Sequence, residues 1–339
     1  MNTTEQFSAL TITEANERPS LQVRQQTIDA WPAGDVTIEV HYSSLNYKDA
    51  MACQGHKGII RSIPHVPGID ATGVVLHSDS PEFRTGEEVV VTGYDLGQGS
   101  FGAWSERIRV PAEWVVQRPE TLSALDSMSL GTAGFTAAQC VVALERNGVE
   151  PGGGPILVTG ATGGVGCLAT AMLAKLGFEV VAVTGKSERS DWLIQIGASE
   201  VVPRDEILGD PKRPILSARW AGGVDTVGGD ILTSIVKSTR YGGAVTTCGL
   251  VAGSDLEMTL YPFLLRGVSL CGIASADCPM DARLEIWQRL ATDLKPDNLD
   301  IISRVIRFEE MQSEVEKILD GQIVGRVVLA TTADMADKI

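Results

Sequence analysis

Along the first third of the chain, apolar and polar positions alternate with the two-residue period of half-buried strands. The run 36–40 is the clearest case, and 73–76 and 89–92 are short β-rich runs of the same kind. Turn signals punctuate them at Pro64, Pro67-Gly68 and Pro81. One helical stretch interrupts, beginning near Asn46 and passing through Ala50 and Met51 toward Gly55. From about Gly131 the texture changes to helical patterns alternating with apolar runs, which predicts a parallel sheet covered by helices on both faces. Six strands are expected there, at 156–159, 180–183, 200–202, 224–227, 244–248 and 268–272. The helical patterns 165–176 and 191–196 are closed by Gly177 and Gly197, where a left-handed cap is expected. Six such strands match a doubly wound α/β dinucleotide fold.

Beyond Asp281 the pattern reads helix to Leu294, a break at Pro296-Asp297-Asn298, a strand over 301–307, a short helix after Phe308 and a strand over 324–330. This tail has the texture of the first third, so the nucleotide domain is expected as an insertion. Residues 1–127 and 298–339 then form a β-rich domain and residues 128–297 the nucleotide-binding domain. A chain of 339 residues is long enough for two cores.

Charge narrows the partners. The formal net charge is −15, and no Lys/Arg-dense stripe stands against it, so nucleic acid is not expected. A phosphorylated small ligand is still compatible, because a helix N-terminus binds phosphate within an acidic protein. The first ten residues are polar and carry Glu5, and no run of about 18 apolar residues follows, so a cytoplasmic protein without a membrane partner is expected. The six cysteines are scattered without a C-x-x-C pair, which indicates neither a disulfide framework nor a thiolate zinc lobe.

The chemistry-bearing motif is Gly160-Ala161-Thr162-Gly163-Gly164-Val165-Gly166, set between the strand at 156–159 and the helix that follows. In that context the glycines let the backbone turn and approach a pyrophosphate while helix N–H groups point at it. An NAD site would place Asp or Glu at the end of the second strand, about 20 residues on. Thr184-Gly185-Lys186-Ser187 stands there instead, with Arg189 and Arg204 as further cations, so NADPH is expected over NADH. Glu188 is the nearest acid.

Together with Ser43-Ser44-Leu45-Asn46-Tyr47-Lys48-Asp49-Ala50, Arg61-Ser62-Ile63-Pro64, Pro67-Gly68-Ile69-Asp70, Gly131-Thr132-Ala133-Gly134-Phe135-Thr136-Ala137, Val202-Pro203-Arg204-Asp205-Glu206 and Gly321-Gln322-Ile323-Val324-Gly325-Arg326, the loop makes nearly the whole chain resemble the medium-chain dehydrogenase/reductase superfamily. It is most similar to the zinc-free, quinone oxidoreductase-like members, and among these to the acrylyl-CoA reductase branch. The resemblance implies a GroES-like β-rich catalytic domain plus a doubly wound Rossmann domain, and a homodimer. Zinc-dependent relatives need three protein ligands. Here Pro67-Gly68-Ile69-Asp70 stands where Gly-His-Glu would, and the four histidines (His41, His56, His65, His77) lack ligand spacing, so no metal is expected.

The activity so implied is NADPH-dependent reduction of the C=C bond of acrylyl-CoA to propionyl-CoA, with hydride to the β-carbon and a proton to the α-carbon. An NADPH-dependent quinone or enone reductase is the alternative within the fold, and a non-catalytic dinucleotide-binding protein the alternative outside enzymes. The resemblance carries catalysis to Tyr47, with Asn46 and Asp49 next. Those two also suit a helix N-cap and an exposed first-turn acid, and Asp70 suits a structural role. Cofactor contacts are carried to Tyr47, Thr162, Gly163, Gly164, Val165, Thr184, Gly185, Lys186 and Arg204, and to Leu250, Leu264 and Ser275. The branch has Ser-Gly-Arg where Thr184-Gly185-Lys186 stands, which keeps the charge without the bidentate fork, and Asn where Gly321 stands. Cations for the phosphates of a CoA thioester substrate are available at Lys57, Arg61 and Arg266.

Overall fold

The computed structural model describes residues 4–15 and 18–336, so the extreme ends of the expected β-rich domain lie outside the described residues. The chain divides into two compact units. The first comprises Met1–Thr132, Ala276–Leu284 and Leu299–Ile339, the second Ala133–Ser275 and Glu285–Asn298.

The first unit opens with an antiparallel hairpin, β1 (Gln6–Ala15) and β2 (Arg18–Thr27), paired from Gln6–Thr27 to Ala15–Arg18. A second sheet is built from β3 (Val36–Ser44), β4 (Asp70–Ser78), β5 (Glu88–Thr92), β6 (Arg107–Val110) and β7 (Val115–Gln117). Between β3 and β4 lies α1 (Tyr47–Cys53), and after β7 comes α2 (Ala124–Arg146). The alternation expected at 36–40 is real but runs longer, through Ser44. Val36, Ile38 and Val40 are fully buried against Val75, Val89, Val91 and Ile108. Each such aliphatic side chain contributes about 1.5–3 kcal/mol by leaving water.

The second unit carries β8 (Ile156–Val158), α3 (Gly164–Lys175), β9 (Val180–Thr184), α4 (Ser190–Gln195), β10 (Glu200–Pro203), β11 (Trp220–Asp225), α5 (Gly229–Ser238), β12 (Thr239–Thr247), α6 (Tyr261–Arg266) and β13 (Ser269–Gly272). All six strands are parallel, in the order β10-β9-β8-β11-β12-β13, with β13 at an edge. The chain thus fills one side of β8 and then returns to fill the other, so the order reverses between β8 and β11. That reversal defines the Rossmann-type doubly wound sheet, and ligands bind outside the strand ends at such a point. The core on one face of the sheet is Leu157, Val181, Val183, Val202, Ile231, Ile235, Val236 and Val245.

The remainder consists of α7 (Met280–Leu290), α8 (Leu299–Ile302), β14 (Ser303–Ile306), α9 (Met311–Leu319), β15 (Arg326–Ala330) and α10 (Ala333–Ala336). β14 and β15 rejoin the first sheet, giving the order β14-β15-β3-β4-β5-β7 with β6 beside β3, the GroES-like β-rich arrangement. The segment Ala276–Leu284 belongs to the first unit although it lies between stretches of the second. The Arg283 guanidinium holds it there: it donates to Thr92 O and Oγ1 and lies 4.3 Å from the Tyr94 ring, which stacks on Trp114. Among the described helices α2 alone has the length and apolarity to cross a bilayer, but 83% of its most apolar window is buried inside the protein, as in a core helix.

Candidate active site

In the second unit, β8 ends at Val158, and the chain crosses Thr159 and Gly160 to reach α3, whose N-cap is Gly163. Gly160 has φ +57°, and a Cβ there would sit 2.3 Å from Thr226 Oγ1 and bar the close approach. Beneath the loop, buried Asp225 accepts from Thr159 Oγ1 (2.8 Å), Gly228 N (2.8 Å) and Thr247 Oγ1 (3.3 Å), tying together the carboxyl ends of β8, β11 and β12. Burial raises the Asp225 carboxyl above the ordinary range despite those donors. α3 has 12 residues and no acid in its first turn, so the first N–H groups, from Gly164, Val165 and Gly166, face a site favourable to an anion.

The end of β9 completes this site. Thr184 Oγ1 lies 3.5 Å from Thr162 Oγ1 and accepts from Lys186 N at 3.0 Å. The Arg204 guanidinium packs over Gly185, where a Cβ would come within 3.1 Å of Cζ. Burial lowers the Lys186 ammonium below the ordinary lysine value, with Arg189 and Arg204 adding to the effect and Glu188 opposing it. Three cations crowded around one turn are unfavourable to one another, and an anion relieves that. The expected residues Thr162–Val165, Thr184–Lys186 and Arg204 are thereby brought together. The donor set fits the phosphates of a dinucleotide, including one on the ribose. Leu250 and Leu264 are largely exposed, at 68% and 76%, on the loop after β12 and on α6, and Ser275 follows β13 half-buried.

In the first unit, Tyr47 opens α1 and is half-exposed. Its neighbours differ from expectation. Asp49, read as an exposed first-turn acid, is fully buried: Oδ2 accepts from Asn46 N (2.8 Å), and Oδ1 from Gly68 N and Ile69 N (3.0 Å each). It clamps the Pro67-Gly68-Ile69 turn to the start of α1, so the first-turn acid expected to be exposed is enclosed by the fold. Burial, then the Asp70 charge, push its carboxyl up to about 7 against those N–H groups. The Asn46 amide is also engaged, Nδ2 donating to Asp70 Oδ2 at 2.8 Å and Oδ1 accepting from Arg326 at 3.3 Å.

The substrate cations separate. Lys57 and Arg61 are exposed on the first unit, Arg61 in a solvated pair with Asp95 at 3.2 Å. Arg266, in the second unit, is engaged within the chain: its guanidinium donates to the carbonyls of Lys237, Thr239 and Leu216. Sequence reasoning missed the role of Arg326, which was quoted only within a motif. The available signal was a charge heading the apolar run Val327-Val328-Leu329, since a cation so placed needs a buried partner. Among the described residues no group of three or more His, Cys, Asp or Glu could hold a metal ion. At the position of Gly-His-Glu stand Gly68, Ile69 and Asp70, of which Asp70 alone carries a ligating side chain, and that carboxylate accepts from Ser44, Asn46 and Thr132.

Comparison with known proteins matches residues 32–120 to an alcohol dehydrogenase GroES-like domain and residues 164–292 to a zinc-binding dehydrogenase domain. The acrylyl-CoA reductase of Ruegeria pomeroyi is 44% identical over 329 residues, spanning 96% of this chain and 100% of its own. The YhdH protein of Escherichia coli, solved with bound NADPH, superposes with a TM-score of 0.91 at 42% identity, over 96% of this chain and 100% of the other. The YhfP protein of Bacillus subtilis, solved with NAD bound, gives 0.94 at 44% identity with the same coverage. Matched from end to end by such relatives, with the glycine loop at the switch point of its parallel sheet, the chain belongs to the medium-chain dehydrogenase/reductase superfamily.

Proposed function

We propose that this protein is a cytoplasmic, zinc-independent reductase that uses NADPH to saturate the C=C bond of acrylyl-CoA. The observation that carries the reading is the full-length 44% identity to an acrylyl-CoA reductase, joined to an anion site with Lys186 and Arg204 and no carboxylate in the ribose-binding position. Bound NADPH supplies the hydride for the β-carbon, and a proton at the α-carbon completes propionyl-CoA. The chain's own residues bind and orient. The α3 N-terminus with Thr162, Gly163, Gly164 and Val165 takes the pyrophosphate, and Thr184, Gly185, Lys186 and Arg204 take the 2′-phosphate. Tyr47 presents a hydroxyl that donates where negative charge develops on the thioester oxygen. Lys57 and Arg61 are the cations open to the CoA phosphates, since a solvated pair such as Arg61–Asp95 is weak enough to exchange.

The test is to follow NADPH absorbance with purified protein and acrylyl-CoA, with NADH and a simple quinone in parallel. NADPH-selective loss with the thioester is the expected result. Turnover of the quinone alone would move the protein to the quinone or enone reductases, and binding of NADPH without turnover of any acceptor would refute an enzymatic role.

A further inference from the structure

Arg326 heads β15 and is 3% exposed, a cation almost wholly removed from water. Nε donates to Ser129 O (3.1 Å), Nη1 to Leu45 O (3.2 Å) and Asn46 Oδ1 (3.3 Å), and Nη2 to Ser44 Oγ (2.9 Å). Asp70, fully buried, lies 3.9 Å from Nη2. The Asp70 carboxylate accepts from Ser44 Oγ (2.6 Å), Asn46 Nδ2 (2.8 Å), Thr132 N (2.9 Å) and Thr132 Oγ1. The two charges therefore grip the same amide from opposite ends and fix the three residues that precede Tyr47.

A buried ion pair is weak evidence for stability, because apolar residues of like volume serve as well or better. Its use must be sought in what it orients. These bonds fall in two places: Ser44, Leu45 and Asn46 at the entry to α1, and Ser129 and Thr132 on either side of Gly131 in α2. At the first, carbonyl, hydroxyl and amide are all held, while Asp49 holds the Asn46 N–H. The next residue, Tyr47, is half-exposed and has its backbone direction set by this frame.

We infer that Arg326 and Asp70 are positioning residues for Tyr47, setting where its hydroxyl stands during reduction of the thioester. The inference rests on the reading of the protein as an NADPH-dependent acrylyl-CoA reductase. A lysine at 326 keeps the charge but cannot reach four acceptors on two segments at once, as the planar fork does. Misplacing a catalytic group by about 1 Å costs on the order of 100-fold in rate.

The test is a double-mutant cycle on the full-length protein, measuring kcat with acrylyl-CoA and KM for NADPH. Arg326→Lys is expected to lower kcat by roughly 10–100-fold while KM for NADPH changes less than about threefold, because the phosphate-binding residues lie in the other unit. In a Tyr47→Phe background the same substitution should cost less than about threefold, since a group already absent cannot be misplaced. Ser44→Ala, which removes one tie to each charge and changes the side-chain volume least, is run alongside as the milder variant, and should show the same non-additivity at smaller amplitude. Additive losses in both cycles, or a Tyr47→Phe variant as active as the unaltered protein, would overturn the inference alone. No NADPH oxidation by the unaltered protein would overturn the functional reading, and this one with it.

Discussion

Lys186 stands at the end of β9 beside Arg204 and the Thr184 hydroxyl, and under the proposed function its cation meets the 2′-phosphate that a carboxylate would repel. Replacing Lys186 with Ala should raise KM for NADPH about tenfold or more and leave NADH nearly unaffected, because a charge-assisted phosphate contact contributes about 1.5–3 kcal/mol. Steady-state kinetics with both cofactors check this, and an equal effect on the two would show that Lys186 does not read the phosphate. That these residues come together was legible because Thr184 and Lys186 stand at the end of the β8-α3-β9 unit that holds the glycine loop and Arg204 follows the next strand, β10, paired beside β9. Asp49 and Arg266 were not. A first-turn acid looks solvated in sequence, and only the turn at Gly68 and Ile69, twenty positions on, reveals that Asp49 is buried. Arg266 looks like a free surface cation until the carbonyls of Leu216, Lys237 and Thr239 converge on it.

Among the elements, α2 shows most plainly what local pattern cannot tell. Gly131 interrupts it with φ 51° and ψ −154°, and a Cβ there would lie 2.5 Å from Asp70 Oδ2. The kink is what turns the Thr132 N–H toward the Asp70 carboxylate. Gly131→Ala combines forbidden backbone with a clash against a buried carboxylate, and should cost about 2–4 kcal/mol or prevent folding. A urea midpoint equal to that of the unaltered protein would contradict this account. The parallel strands were easier to read, because β8, β9 and most of β12 are short buried apolar runs. Even so β11 begins at Trp220 and ends at Asp225, where 224–227 was expected, since Ala221, Gly222 and Gly223 carry no β signal yet are wholly enclosed in the sheet. The opening hairpin gave no usable period: β2 leaves most of its side chains in water, so polar residues fill it on both faces.

For the molecule as a whole, the consequence of the buried carboxylates is a stability that depends on pH in an unusual direction. The folded chain raises Asp49 from 3.8 to about 7, chiefly by burial and then by the Asp70 charge, and raises Asp225 as well. Between 3.8 and 7 the folded state therefore holds a proton at Asp49 that the unfolded chain has released. Stability falls as pH rises through that window, and above 7 the loss is complete. Each pH unit inside the window is worth about 1.4 kcal/mol, so the interval from pH 5 to pH 7 removes roughly 2–3 kcal/mol. Glu5, Asp293 and Glu314, which are lowered, act with the opposite sign but only in the acidic range at and below the ordinary carboxylate values. His65, kept neutral by burial, opposes the trend below its ordinary value of 6.5. The net charge of −15 adds self-repulsion at high pH. Asp49 is isolated from these by difference. Asp49→Asn cannot ionise, and although it gives up an acceptor for the Asn46 N–H, its deficit against the unaltered protein should shrink by about 2–3 kcal/mol from pH 5 to pH 8. Urea titrations of both proteins across that range measure the difference directly. A gap that stays constant with pH would mean that Asp49 keeps its charge in the fold, held by its three backbone donors, and that the proton is carried elsewhere.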